Sequence, residues 1–270
     1  MIRLFQIAIL CCAGLVLTGC NVPEKDKPIW EHAKIGDIGP SHSDKQPGAQ
    51  LLEIMNFDVY IFEIPVENIN ALDDIRQMLY TKPLQFNDYD AFSANSFSVG
   101  FGQVGMWNEI RELLRVAGGK RVETVSLLLP DGQADTITIA RLDSEQSIFY
   151  ISSEGLMEGA TIGPGELTLW IKAEKVPGSR GVCKMSTLPV FSPMRRNSIR
   201  QLTGREKSDE LPFTCCGFEL KMSPGDFVFL APEKYIGNQI TLASYFFSRP
   251  KPRSVVRTYL IVVAEIVNSG

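Results

Sequence analysis

The sequence predicts an α+β fold, mostly β, with antiparallel or mixed sheets and two helices in the N-terminal third of the folded body. Three observations predict it. Apolar residues recur at helical spacing in two places, Leu72–Ile75–Leu79 and Trp107–Ile110–Leu113–Leu114–Ala117. From Val122 onward, runs of β-branched and aromatic residues with a two-residue period follow one another, separated by Pro130-Asp131-Gly132-Gln133, Pro177-Gly178 and Ser223-Pro224-Gly225-Asp226. The stretch from Leu51 to Val267, about 217 residues, is long enough to bury one large core or two small ones.

Taken in order, NFDVYIFEIP (Asn56 to Pro65) reads as a strand, with Phe57, Val59 and Ile61 on one face and Tyr60 and Phe62 on the other. An amphipathic helix through Leu72, Ile75 and Leu79 follows and is stopped by Pro83. NDYDAFSANS reads as a loop, and Ser96 to Phe101 as a short strand. The second helix begins near Trp107 and ends at Gly118-Gly119, a left-handed C-cap; the pair follows a helix and lacks the spacing of a phosphate-binding loop. VETVSLLL then meets a turn, and DTITIARL returns from it. SIFYISS, ELTLWIKAE, VCKMSTLPVF, TCCGFELKM, FVFLAP, ITLASYFF and VVRTYLIVVAEIV complete the strands. In TCCGFELKM, alternation puts Cys216, Phe218, Leu220 and Met222 on the apolar face and turns Cys215 away.

Ahead of this body lie two segments of different character. Residues 1–19 combine one positive residue, Arg3, with a fourteen-residue apolar stretch from Leu4 to Leu17. That is short of the about 20 residues a spanning helix needs, and fits a secretory signal. With Cys20 it forms Leu17-Thr18-Gly19-Cys20, which resembles the lipobox of bacterial lipoproteins. The resemblance implies cleavage before Cys20 and acylation there, with about 0.8 kcal/mol of membrane anchoring per buried CH₂. Asn21, in place of an aspartate, points to the outer membrane, periplasmic face. Residues 20–50 are rich in Pro, Gly, Lys and Asp and read as a flexible tether with a reach on the order of 30 Å, leaving 51–270 as the globular domain.

Charge and side-chain chemistry exclude several function classes. Without residues 1–19 the chain has 26 basic and 31 acidic side chains, a net charge of −5, which argues against nucleic acid as a partner. The two histidines, His32 and His42, lie in the tether, so no Ser-His-Asp or Cys-His arrangement can form within the body. The body holds three cysteines, Cys183, Cys215 and Cys216; a Cys183–Cys216 disulfide and buried thiols are both open, and no metal-ligand spacing occurs. Asp88 and Asp90 in NDYD form the candidate cation or ligand site, beside the plainer reading of a solvated turn. The basic stretch from Arg195 to Glu210 reads as a solvated loop or as a contact for lipid headgroups or an acidic partner. No catalytic residue, metal or cofactor is expected; the enzymatic alternative is a carboxylate-based hydrolase with Asp88 and Asp90 as its carboxylate pair.

The order of elements resembles the β domain of bacterial secretins, the ring-forming outer-membrane proteins of secretion and pilus systems. The likeness rests on VYIFEIP (Val59 to Pro65), on the unit from Trp107 to Gly119 with VETVSLLLPDGQADTITI, and on GELTLWIKAEKVPGSRGVCKMSTLP (Gly165 to Pro189). LKMSPGDFVFLAP and RTYLIVVAEIV echo the family's closing strands. Leu230-Ala231-Pro232 stands where the family has a double glycine, and there is no long alternating apolar hairpin for lipid. The resemblance therefore implies an accessory or scaffold subunit instead of a pore. The expected function is a lipid-anchored envelope protein with a structural or assembly role, acting through self-association or envelope protein partners. The alternative is a monomeric ligand- or protein-binding lipoprotein.

Overall fold

In a computed structural model of the protein, which describes residues 53–194, 210–233, 240–249 and 254–268, the longest apolar runs occupy the middle of the fold. The chain parts between Gln50 and Leu51, and every described residue belongs to the second unit. The segments expected to be signal and tether, and most of the basic stretch, lie outside the described residues. In chain order, β1 (Glu53–Pro65) runs through a 3₁₀ stretch into α1 (Leu72–Met78), β2 (Gln85–Phe86), α2 (Tyr89–Ala94), β3 (Phe97–Gly102) and α3 (Trp107–Val116). Next come β4 (Lys120–Pro130), β5 (Ala134–Leu142), β6 (Gln146–Ile151), β7 (Met157–Ile162), β8 (Gly165–Lys175) and β9 (Cys183–Pro193). The last elements are β10 (Leu211–Pro212), β11 (Phe218–Met222), β12 (Phe227–Pro232), α4 (Leu242–Phe247), β13 (Ser248–Arg249) and β14 (Val255–Asn268). The fold is α+β, mostly β, as the sequence predicts.

Two antiparallel sheets share one buried core. Sheet A has the order β3-β12-β14-β1-β4, with β13 beside β14; sheet B has the order β2-β11-β9-β8-β5, with β10 beside β9. The inner face of sheet A, from Val59, Ile61, Tyr259 and Ile261, joins the same buried cluster as Leu167, Leu169, Ile171 and Met185 of sheet B. α4 belongs to that core: its Phe246 and Phe247 lie against Phe97, Phe213 and Tyr259 at ring separations of 5.4–6.0 Å. β6 and β7 form a separate two-stranded ribbon.

Four local expectations change. ITLASYFF carries the helix α4, because Leu242, Ala243, Phe246 and Phe247 bury as a one-sided helical set. NDYDAFSANS carries α2 instead of a loop, since Asp88 supplies an N-cap. Residues 214–216 form a 3₁₀ turn before β11, which breaks the expected alternation and buries both Cys215 and Cys216. The turn after β4 does not close a hairpin ladder: it exchanges backbone bonds with Ala173 (Gly132 N to Ala173 O, 2.9 Å), and β5 pairs with β8 in the other sheet. The C-cap at Gly118 is as expected, with φ +73° and the Gly119 N–H returning to Leu114 O at 2.8 Å.

The outer face of sheet A is covered by helices. Leu79, just after α1, sits on Gly100, where an added Cβ would lie 2.5 Å from the leucine's own Cβ. Gly102 leaves room in the same way for the Phe227 ring. Trp107 of α3 rests on Tyr60 and Phe227 at 5.6 and 5.9 Å. Asn68 closes this layer by donating to the Ala117 carbonyl at the end of α3, 3.0 Å.

Candidate functional site

Cys20, His32 and His42 lie outside the described residues. Of the two aspartates read as a candidate cation or ligand site, Asp88 is the N-cap of α2. Asp88 accepts the Ala91 N–H at 2.9 Å, while Asp90 stands exposed in the first turn of α2. Among the described residues no group of three His, Cys, Asp or Glu side chains gathers to complete a cation site.

Of the two readings open for the cysteines, strand register speaks against the Cys183–Cys216 bridge. Cys183 pairs with Met222, whereas Phe218 pairs with Thr187 four residues further along β9, and Cys216 lies beyond Phe218. At about 3.3 Å per residue, the two cysteines are separated by about 13 Å or more, twice what a disulfide tolerates. Cys216 is instead next to Cys215, with the sulfurs 3.7 Å apart. The Cys216 hydrogen bond holds the Cys215 thiol below its ordinary range, and the same contact with burial pushes Cys216 up. Both are buried, so neither offers solvent a nucleophile.

A residue that pattern reading passed over organises this region. Asn95, buried at the end of α2, donates to Ala91 O and to Ile151 O at 2.8 Å each and accepts the Ile151 N–H at 2.9 Å. One side chain thus stands in for a strand partner at the end of β6. The only sequence signal was an asparagine in a polar run.

A groove of about 380 Å³ lies between α3 and the outer face of sheet A. Tyr60 and Phe62 reach it because they alternate away from the core along β1. Trp107, Ile110 and Leu114 reach it from the apolar stripe of α3, and Arg111 flanks that stripe. Arg121 arrives through a β-bulge. Thr124 pairs with Tyr60 and Glu123 with Ile61, but Phe62 pairs with Arg121, so the extra residue Val122 turns Arg121 to the groove side. Its guanidinium lies over the Tyr60 ring, 5.8 Å from the centroid, in a cation–π contact.

A second feature is the edge of sheet A. β4 pairs with β1 and, among the described strands, with no other. Among the described residues its other row of backbone groups has no strand partner, and Val122 and Leu128 are 46% and 67% exposed along it. Lys120, Arg121 and Glu123 place charge at one end of this edge, and the leucine-rich end carries none.

No family model matches the chain, and no curated protein sequence matches it. Among solved structures the chain is similar to the InvG secretin domain β-barrel from the Salmonella SPI-1 injectisome, at 11% identity and TM-score 0.22, over 80% of this chain. It is likewise similar to a cryo-EM structure of the Salmonella SPI-1 type III secretion injectisome secretin InvG, at 10% identity and TM-score 0.21, again over 80% of this chain. The chain spans 63% and 64% of those secretin chains. At these scores the likeness is too weak to assign the chain to a fold family.

Proposed function

We propose that the protein is a non-enzymatic lipoprotein, anchored through Cys20 at the periplasmic face of the outer membrane, with a structural or assembly role in a secretin-like secretion or pilus machine. The observation that carries the assembly role is the β4 edge, eleven residues long and, among the described strands, bonded to β1 alone, with Leu128 two-thirds exposed. An unpaired strand edge is a ready template for a strand from a second copy or from another protein. The lipobox-like Leu17-Thr18-Gly19-Cys20 supports the anchor, and the absence of histidine from the body supports a role without acid–base catalysis.

Site-specific photo-cross-linking in cells tests this. A cross-linker in place of Leu128 is expected to trap a protein partner, and one in place of Lys184 on the outer face of sheet B is not. Equal capture from both positions, or none from either, overturns the assembly role. The second reading, a monomeric ligand-binding lipoprotein, is favoured by one observation, the groove beneath α3.

A further inference from the structure

The groove beneath α3 has an apolar floor and a positive rim, and no carboxylate lines it. Three of the acidic groups nearby are engaged. Glu63 is paired with Arg257 at 2.9 Å, Glu112 is held by Arg115, and Asp58 accepts from the Ser126 hydroxyl at 2.6 Å. Glu123 sits opposite Ile61 and so points to the other face of the sheet. Arg111 and Arg121 make no ion pair with a described residue, although Arg115 one turn along α3 and Arg257 across the sheet both do. Two guanidinium groups thus border one apolar slot, one delivered by a helix and the other by a bulge.

Apart from the arginines, the polar atoms on the lining side chains are the Tyr60 hydroxyl and the Trp107 indole N–H. There is no amide, serine or threonine to read a peptide backbone. What remains is a surface of three rings and three aliphatic side chains, suited to an alkyl chain, and a rim suited to a planar anion that guanidinium binds in a two-pronged fashion. We infer that this groove binds a single-chain amphiphile with a carboxylate head, its chain lying along Phe62 and Trp107 and its carboxylate held by Arg111 and Arg121. A volume of about 380 Å³ falls in the range of small-ligand sites and suits one chain of medium length. The site goes beyond the assembly role: it uses the Arg121 end of β4, whereas that role concerns the Leu128 end.

The test uses the chain from residue 20 with Cys20→Ser, in which Trp30→Phe and Trp170→Phe leave Trp107 as the sole indole. The probe is bromine-labelled dodecanoate, titrated below its micelle concentration, with quenching of Trp107 fluorescence as the readout. Saturable quenching is expected. Arg111→Gln and Arg121→Gln should each weaken it about tenfold, as expected for loss of a partly exposed charged hydrogen bond. Both variants should keep the parent's urea midpoint, which separates lost binding from lost folding. The bromine-labelled alcohol and quaternary ammonium of equal chain length should bind at least tenfold more weakly. Equal binding of all three head groups, parent-like binding by the double arginine variant, or no quenching by dodecanoate each overturns the inference.

Discussion

The two sheets contain the same number of strands and present opposite outer faces. Sheet B turns charge to solvent: Lys184 pairs with Glu219 at 2.7 Å, Arg141 with Glu166 at 2.8 Å and Lys172 with Glu174 at 2.6 Å. Sheet A turns Phe227, Phe229 and Leu260 outward, all buried, because Leu79 and the α3 helix lie on top of them. The difference is written in the strands. The first half of β9 alternates, with Lys184 and Ser186 between buried Cys183, Met185 and Thr187, whereas every residue of β12, FVFLAP, is buried. A strand that is apolar on both faces requires a second cover, and here that cover is where the groove forms. Among the described residues the Lys172–Lys184 end of sheet B has no helix above it and presents a charged face.

The largest expected contrast comes from one ring on each outer face. Phe227→Ala should cost about 3–5 kcal/mol of unfolding free energy by urea denaturation, since it empties a fully buried site and removes the ring under Trp107. Trp170→Ala, on the solvent side of β8, should stay within about 1 kcal/mol. Comparable losses from both would mean that the outer face of sheet B is also covered in solution.

Next in size is the clip between α2 and the β6–β7 ribbon. Asn95→Ala leaves the Ile151 N–H and carbonyl without their side-chain partner and should cost about 1–3 kcal/mol. Hydrogen exchange should rise first at Ile151. Smaller again is the cap: Asp88→Ala should lose about 1 kcal/mol, and Asp90→Ala should change stability by less than about 0.5 kcal/mol. A divalent cation that stabilises the parent protein and not the Asp88→Ala variant would return the aspartates to a binding role.

The smallest effect is on pH dependence and belongs to sheet B. The hydrogen bond from Arg141 holds Glu166 below the ordinary carboxylate range. A carboxyl depressed in the folded state adds stability above its unfolded pKa and loses it as pH falls through the folded value. Glu166→Gln should therefore flatten the acid limb of the stability curve by slightly lowering stability at neutral pH, and leave the stability at the acid end unchanged. An unaltered acid limb would show that this exposed pair contributes nothing.

The parts of this fold legible in the sequence are those where period and length agree. β1 with its two apolar faces, α3 with its stripe and glycine cap, and the alternating strands of sheet B all follow from spacing. α4 was not legible, because six residues with Leu242, Ala243, Phe246 and Phe247 satisfy a buried strand as well as a helix, and only packing on Phe97 and Tyr259 decides between them. The groove was half legible. Tyr60, Phe62 and Trp107 were visible as apolar positions, but Arg121 joins them through a bulge that depends on pairing with β1, a property of two strands and not of one. The separation of Cys183 from Cys216 is likewise set by register, which cysteine counting cannot reach.

The β4 edge is the feature on which the assembly role turns. The most direct measurement is the mass of the native protein, extracted in mild detergent and sized by light scattering, alongside the Cys20→Ser form and a Leu128→Lys variant. The account predicts a discrete particle of several copies, or a stable complex with an envelope protein, that Leu128→Lys reduces to single chains. A native protein that stays at the mass of one chain, no more than the 30.0 kDa of the full sequence, and carries no partner at any concentration would contradict it.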